Sequence, residues 1–179
     1  MNVGVFGSSL PRPGSDEYTL AFDLGGEIAR SGAGVVCGGY GGTMEAVCRG
    51  AAEAGGPTRG VILSGGGEPN AWVKERTVAT DLGERLRILR NSSDAWVFLP
   101  RGLGTMLELV WMAESVVKTV TPPRPFVLVG EFWRPQVETA LAEASNAGGA
   151  AALRSAVRFT TTVPETVAAA LEPGQGGGR

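Results

Sequence analysis

The chain has 179 residues, an apolar fraction of 43% and a formal net charge of −2, the profile of a globular protein with one sizeable core. Its Lys and Arg residues are scattered, with no basic stripe for a nucleic acid, and no apolar run approaches the roughly 20 residues needed to cross a bilayer, so neither nucleic acid nor membrane is an expected partner. Histidine is absent, which removes Ser-His-Asp triads and His-ligated zinc, and lysine occurs only as Lys74 and Lys118, neither beside a glycine loop, which argues against a pyridoxal-phosphate enzyme.

Short β-branched or apolar runs alternate with longer amphipathic stretches, the pattern of βαβ units. The expected fold is α/β, a Rossmann-like three-layer sandwich with a mainly parallel sheet. Residues 2–6 read as a first strand, and Gly7-Ser8-Ser9 with Pro11, Pro13 and Gly14 as a loop before a helix over 15–31. A second strand at 34–37 ends in Gly38-Gly39-Tyr40-Gly41-Gly42, and a helix follows over 43–54, stopped by Gly55-Gly56. Residues 59–63 read as a third strand, followed by a loop rich in Gly and Pro from 64 to about 70. A short strand at 77–81, a helix at 84–91 and a buried strand at 95–99 lead to Pro100. A helix is expected over 106–118, a strand over 125–129, a helix over 133–145 halted by Gly148-Gly149, a strand over 157–160 and a helix over 164–171. The organisation is one nucleotide-binding domain over 1–172 with a frayed tail at 173–179. Cys37 and Cys48 fall at a strand end and in a helix with no signal-peptide pattern ahead of them, so a reduced, cytoplasmic protein is expected.

In an open parallel sheet the ligand crevice lies beyond the carboxyl ends of the strands, against the positive ends of the following helices. Three turns converge there: Gly7-Ser8-Ser9, the turn carrying Gly38, Gly39, Gly41, Gly42 and Thr43, and the turn carrying Arg101, Gly102, Leu103, Gly104 and Thr105. Glycines let the main chain approach an anion that a Cβ would block, and a phosphate is the natural guest. The spacing matches neither a P-loop, which needs Gly-Lys-Ser/Thr, nor a strict dinucleotide fingerprint, so a mononucleotide is preferred to ATP or NAD. The second and third turns echo one another, but Glu45 lies two residues after its threonine and Glu108 three, which separates the two carboxylates by about 100° on their helices.

Pro100-Arg101-Gly102-Leu103-Gly104-Thr105-Met106-Leu107-Glu108 resembles the P-G-G-x-G-T-x-x-E signature of the LONELY GUY (LOG) proteins and their bacterial relatives, often mislabelled lysine decarboxylases. The match holds at every fixed position except the first glycine, where Arg101 stands. Arg85, fifteen residues before Pro100, also matches, as do Val5-Phe6-Gly7-Ser8-Ser9 and the turn after Cys37; the likeness covers about residues 3–137. The resemblance implies hydrolysis of the N-glycosidic bond of an AMP-like nucleoside 5'-monophosphate, with no metal or organic cofactor and with a homodimeric assembly. It makes Arg85 and Glu108 the catalytic pair and Gly102, Gly104 and Thr105 the phosphate turn. The chemistry is reasonable: a carboxylate beside the ribose stabilises the oxocarbenium charge or activates water, and a planar guanidinium clamps phosphate or hydroxyls.

Structural readings stand beside these. Thr105-x-x-Glu108 is also a capping box, Arg85 shares a helix face with Arg87 and Arg90, and Glu45 suits a helix N-terminus. The family's Met-His-x-Arg-Lys segment is replaced by Leu82-Gly83-Glu84-Arg85-Leu86, which keeps the acidic residue and the arginine, and the family's long segment before it is here the glycine-rich 64–75 stretch, so the resemblance implies that a base-recognition element is missing. The altered Pro100-Arg101 turn motivates an alternative function, a non-catalytic carrier of a nucleotide or of the molybdenum cofactor, whose pterin similar Rossmann-like proteins hold. For a homodimer, the helix bearing Leu107, Val110, Trp111, Ser115 and Val116 is apolar on more than one face.

Overall fold

The computed structural model describes residues 1–144 and 149–172. Their elements alternate as β1 (Asn2–Phe6), α1 (Asp16–Arg30), β2 (Gly34–Cys37), α2 (Thr43–Glu53), β3 (Thr58–Leu63), β4 (Glu75–Ala79), α3 (Leu82–Asn91), β5 (Ala95–Phe98), α4 (Leu103–Val117), β6 (Phe126–Val129), α5 (Arg134–Glu143), α6 (Ala150–Ala156), β7 (Val157–Thr160) and α7 (Val163–Leu171). The strands form one seven-stranded sheet in the order β4-β3-β2-β1-β5-β6-β7, and every pairing is parallel.

Alternation along each strand sends side chains to two cores. Val3, Val5, Val97 and Leu99 point with α1, α2 and α7 to one face; Phe6, Trp96, Phe98 and Phe126 point with α3, α4 and α5 to the other. On that second face the Phe6 and Phe98 rings stack at 5.0 Å and Phe98 meets Phe126 at 4.7 Å, so large rings fill the centre of the sheet. The chain runs outward from β1 through β2, β3 and β4, then returns to the opposite side of β1 as β5. That reversal opens a crevice between the β1 and β5 loops at the carboxyl edge.

Helix ends follow local chemistry. Ser15 accepts from the Tyr18 N–H at the start of α1, Asp81 accepts from the Glu84 N–H at 2.8 Å at the start of α3, and Thr162 with Glu165 forms a full capping box on α7. Several expected boundaries shift. α4 begins at Leu103 rather than Met106, because Gly102 at φ 98° ends the turn early and serves as N-cap. Consequently Thr105 is the third helical residue and no cap, and the expected Thr105–Glu108 capping box does not form. β4 starts at Glu75 rather than 77, held by parallel pairing of Arg59 with Glu75. α6 was not expected from the sequence, whose alanine- and glycine-rich stretch carries little periodicity. The expected end of α5 at Ser145, its stop at Gly148 and the tail at 173–179 lie outside the described residues.

Candidate functional site

The crevice edge is built from the β1 loop, the turn into α2 and the turn into α4, with Arg85 rising from α3 below. Arg85 and Glu108, 23 residues apart, are brought together: Nη1 of Arg85 lies 3.4 Å from Oε1 of Glu108, and its Nε donates to the Val61 carbonyl at 2.8 Å. Both are buried, at 9% and 6% exposure. The solvated helix face read for Arg85 is therefore not where it sits; its guanidinium turns inward, 5.8 Å from the centre of the Tyr40 ring. Burial raises the Glu108 carboxyl from its ordinary 4.5 to about 7, and the neighbouring Arg85 charge holds it from going further.

The glycines divide into two kinds. At Gly38 a Cβ would overlap the Arg85 guanidinium, at Gly7 the Thr43 hydroxyl, and at Gly42, whose φ is 68°, the Ser8 carbonyl. Their identity is explained by the protein's own packing. Thr43 is spent in the same way: its N–H donates to the Ser8 carbonyl at 2.9 Å and its Oγ1 donates there at 3.0 Å, pinning the β1 loop to α2. Gly39, at φ 79°, packs against Ile62 and Gly60. By contrast Gly41 and Gly104 have ordinary φ and nothing within 4 Å of a would-be Cβ. Neither packing nor backbone strain accounts for glycine there.

The turn into α4 is the open one. Gly102 gives no side-chain cap, so the first N–H groups of the helix, on Leu103, Gly104 and Thr105, are left to an outside acceptor. Thr105 Oγ1 is buried without a hydrogen-bond partner among the described residues, and it sits under Gly102 next to Ser8. A buried orphan hydroxyl costs about 1–3 kcal/mol. Ser8 itself is half-buried and its Oγ accepts from the Leu10 N–H, while Ser9 is exposed at the rim. Leu103 projects outward at 86% exposure. Arg101, with φ 69°, directs its side chain to Glu17 of α1, 3.6 Å away.

Sequence reasoning missed a second set of residues. The loop before β4 is tied to the site rather than free: Asn70 donates from Nδ2 to the Gly39 and Tyr40 carbonyls, and the Tyr40 hydroxyl accepts from the Leu63 N–H at 2.9 Å. Trp72 and Phe22 each lie 5.6 Å from the Arg49 guanidinium. The signal was present as an Asn-x-Trp in a glycine loop, but nothing local named the turn it would bind. Glu45 meets the Tyr18 hydroxyl at 3.4 Å and stays outside the Arg85–Glu108 pair, as the 100° offset required. Cys37 and Cys48 are buried free thiols with Sγ atoms 3.4 Å apart. Among the described residues no group of side chains could hold a metal ion, and no helix is long and apolar enough to cross a membrane.

Against known proteins, the chain resembles an uncharacterised protein of Archaeoglobus fulgidus at 30% identity over 131 residues, 73% of this chain and 85% of that one. Its fold matches the molybdenum cofactor carrier protein of Chlamydomonas reinhardtii with a TM-score of 0.73 and 26% identity, covering 94% of each chain. It also matches the fold of the molybdenum cofactor binding protein of Rippkaea orientalis, with a TM-score of 0.73 and 24% identity over 93% of each chain. The model of the SLOG cluster4 family, a Rossmann-like group related to the LOG proteins, matches residues 1–145, a span that contains every turn of the site, and the chain belongs to that family.

Proposed function

We propose that this protein binds a phosphorylated pterin or nucleotide-like cofactor, of the molybdenum-cofactor class, and holds it intact. The phosphate sits on the N-terminus of α4 against Gly104 and the Thr105 hydroxyl, and the heterocycle extends past Gly41 toward Tyr40. The observation that carries this reading is the state of Glu108: its carboxylate is engaged by Arg85 below the turns, so the crevice offers groups that grip a phosphate beside a base already committed to a partner. The likeness to the Chlamydomonas carrier, over nearly all of both chains, supports the same class of ligand. Native mass spectrometry of protein purified from a host that makes the cofactor, with fluorescence of the oxidised pterin after acid release, tests it. An intact phosphorylated pterin at one per protomer is expected; a protein that neither retains nor takes up the pterin overturns the reading.

A second reading, phosphoribohydrolase action on an AMP-like nucleotide, is favoured by one observation. A carboxyl ionising near pH 7 is matched to proton transfer at neutral pH. Incubation with AMP, CMP, GMP and isopentenyladenosine monophosphate, followed by chromatography of free base, decides it: release that vanishes in Glu108→Gln establishes hydrolysis, and no release from a protein that binds these nucleotides eliminates it.

Assembly as a homodimer belongs to the same proposal. Leu103, Leu107 and Val110 of α4 are exposed while Leu109, Met112 and Val116 of the same helix are buried, which leaves an apolar stripe for a second copy. Light scattering of wild type and Val110→Asp reads the state directly, a dimer that becomes a monomer being the expected result.

A further inference from the structure

Arg101 stands at the first glycine of the LOG signature that this turn resembles, and its geometry gives the departure a use. A non-glycine residue at φ 69° directly before Gly102 at φ 98° is a strained way to enter a helix, and such strain persists where the surroundings impose it. The side chain is 70% exposed and its one ionic partner among the described residues, Glu17, is 40% exposed at 3.6 Å. An exposed pair at that distance is weak, and Glu17, in the first turn of α1, is already favoured by the positive end of that helix. The guanidinium is thus lightly held at the rim of a turn with free N–H groups. Independently, the buried and unpartnered Thr105 hydroxyl lies under the adjacent Gly102.

We propose that Arg101 is a ligand-reading residue: when a phosphate dianion seats on the α4 N-terminus, the guanidinium exchanges Glu17 for two phosphate oxygens, and Glu17 is the internal competitor that this exchange displaces. The exchange favours a terminal phosphomonoester, whose three non-bridging oxygens share two negative charges, over a phosphodiester, whose two non-bridging oxygens share one. Where a glycine at this position would leave the phosphate to backbone groups, this chain adds a formal charge and a means of selecting the dianion. The inference rests on the phosphate-binding reading above.

The test uses the full chain and inorganic phosphate as probe, with methyl phosphate and dimethyl phosphate as monoester and diester, titrated calorimetrically at low salt and pH 8. Arg101→Gly, which also relieves the positive φ and so keeps the fold, is expected to weaken phosphate and methyl phosphate by roughly tenfold or more and to erase the preference over dimethyl phosphate. Arg101→Lys regains part of the affinity, since it supplies charge without the fork. Glu17→Gln tightens wild type by about threefold and leaves Arg101→Gly unchanged. Equal phosphate affinity in wild type and Arg101→Gly overturns the role of Arg101 while the α4 turn stands. Equal tightening by Glu17→Gln in both backgrounds overturns the exchange. Absence of phosphate binding in every variant overturns the turn itself, and this inference with it.

Discussion

The two glycine turns of this protein read almost alike and have opposite fates. The turn into α2 is closed by the protein everywhere but at Gly41: Gly38 makes room for Arg85, Gly42 for the Ser8 carbonyl, and Thr43 donates twice to that carbonyl. The turn into α4 is left open: Gly104 faces nothing, Thr105 has no partner, and Arg101 reaches away to Glu17. The helix registers explain the difference. Thr43 is the first residue of α2 and points back at the β1 loop, whereas Thr105 is the third residue of α4 and points under its own cap. One turn became the scaffold that fixes the other.

That contrast can be broken, beginning with the element on which both turns lean. Arg85→Met removes the cation that fills the space at Gly38 and strands Glu108, and loss of one partner of a buried pair is expected to cost roughly 4 kcal/mol in urea unfolding. If the cost is below 1 kcal/mol, Arg85 is no part of the scaffold. Gly42→Ala puts a Cβ into the Ser8 carbonyl at positive φ, and overpacking together with the left-handed penalty predicts roughly 3 kcal/mol, read the same way.

The buried carboxyl gives a pH signature of similar size. Unfolded, Glu108 ionises near 4.5; folded, near 7. Below about pH 4.5 both states hold the proton and its burial carries no ionic penalty. Between about pH 4.5 and 7 the unfolded chain releases the proton while the folded protein keeps it, so stability falls by roughly 3 kcal/mol and levels off once pH passes through the folded value. The difference in unfolding free energy between wild type and Glu108→Gln, followed from pH 4.5 to 8, isolates this effect from the other carboxylates; a flat difference refutes it.

Two smaller effects sharpen the contrast on the open side. Thr105→Val replaces the orphan hydroxyl with a methyl of the same shape, so the ligand-free protein is expected to gain about 1 kcal/mol while phosphate affinity drops. Gly104→Ala meets no neighbour and improves helix propensity, so its stability change should stay within about 1 kcal/mol of zero or favourable, again with lost affinity. If Gly104→Ala destabilises as Gly42→Ala does, the two turns are not different in kind.

Much of this was legible in the sequence because the signals are local. The alternation of apolar runs and amphipathic stretches gave β1, β2 and β7 their limits, and the spacing of Glu45 and Glu108 from their threonines separated a half-buried contact with Tyr18 from the buried pair with Arg85. Boundaries failed where the deciding contact was distant. β4 begins two residues early because Arg59 pairs with Glu75, and α6 forms in a stretch without periodicity because Leu153 packs into the core beside α4. Asn70 and Tyr40 escaped notice because an amide or a phenol in a glycine-rich loop acquires a function only from the carbonyls and N–H groups it meets.

By itself the sequence determined that this is a parallel α/β protein with glycine turns at the carboxyl edge of its strands, because residue periodicity and turn chemistry are properties of neighbours along the chain. Which glycines the protein's own packing requires and which face open space was decided only by the fold. That depends on what stands opposite each missing Cβ, and on whether Arg85 meets Glu108 across the 23 residues between them.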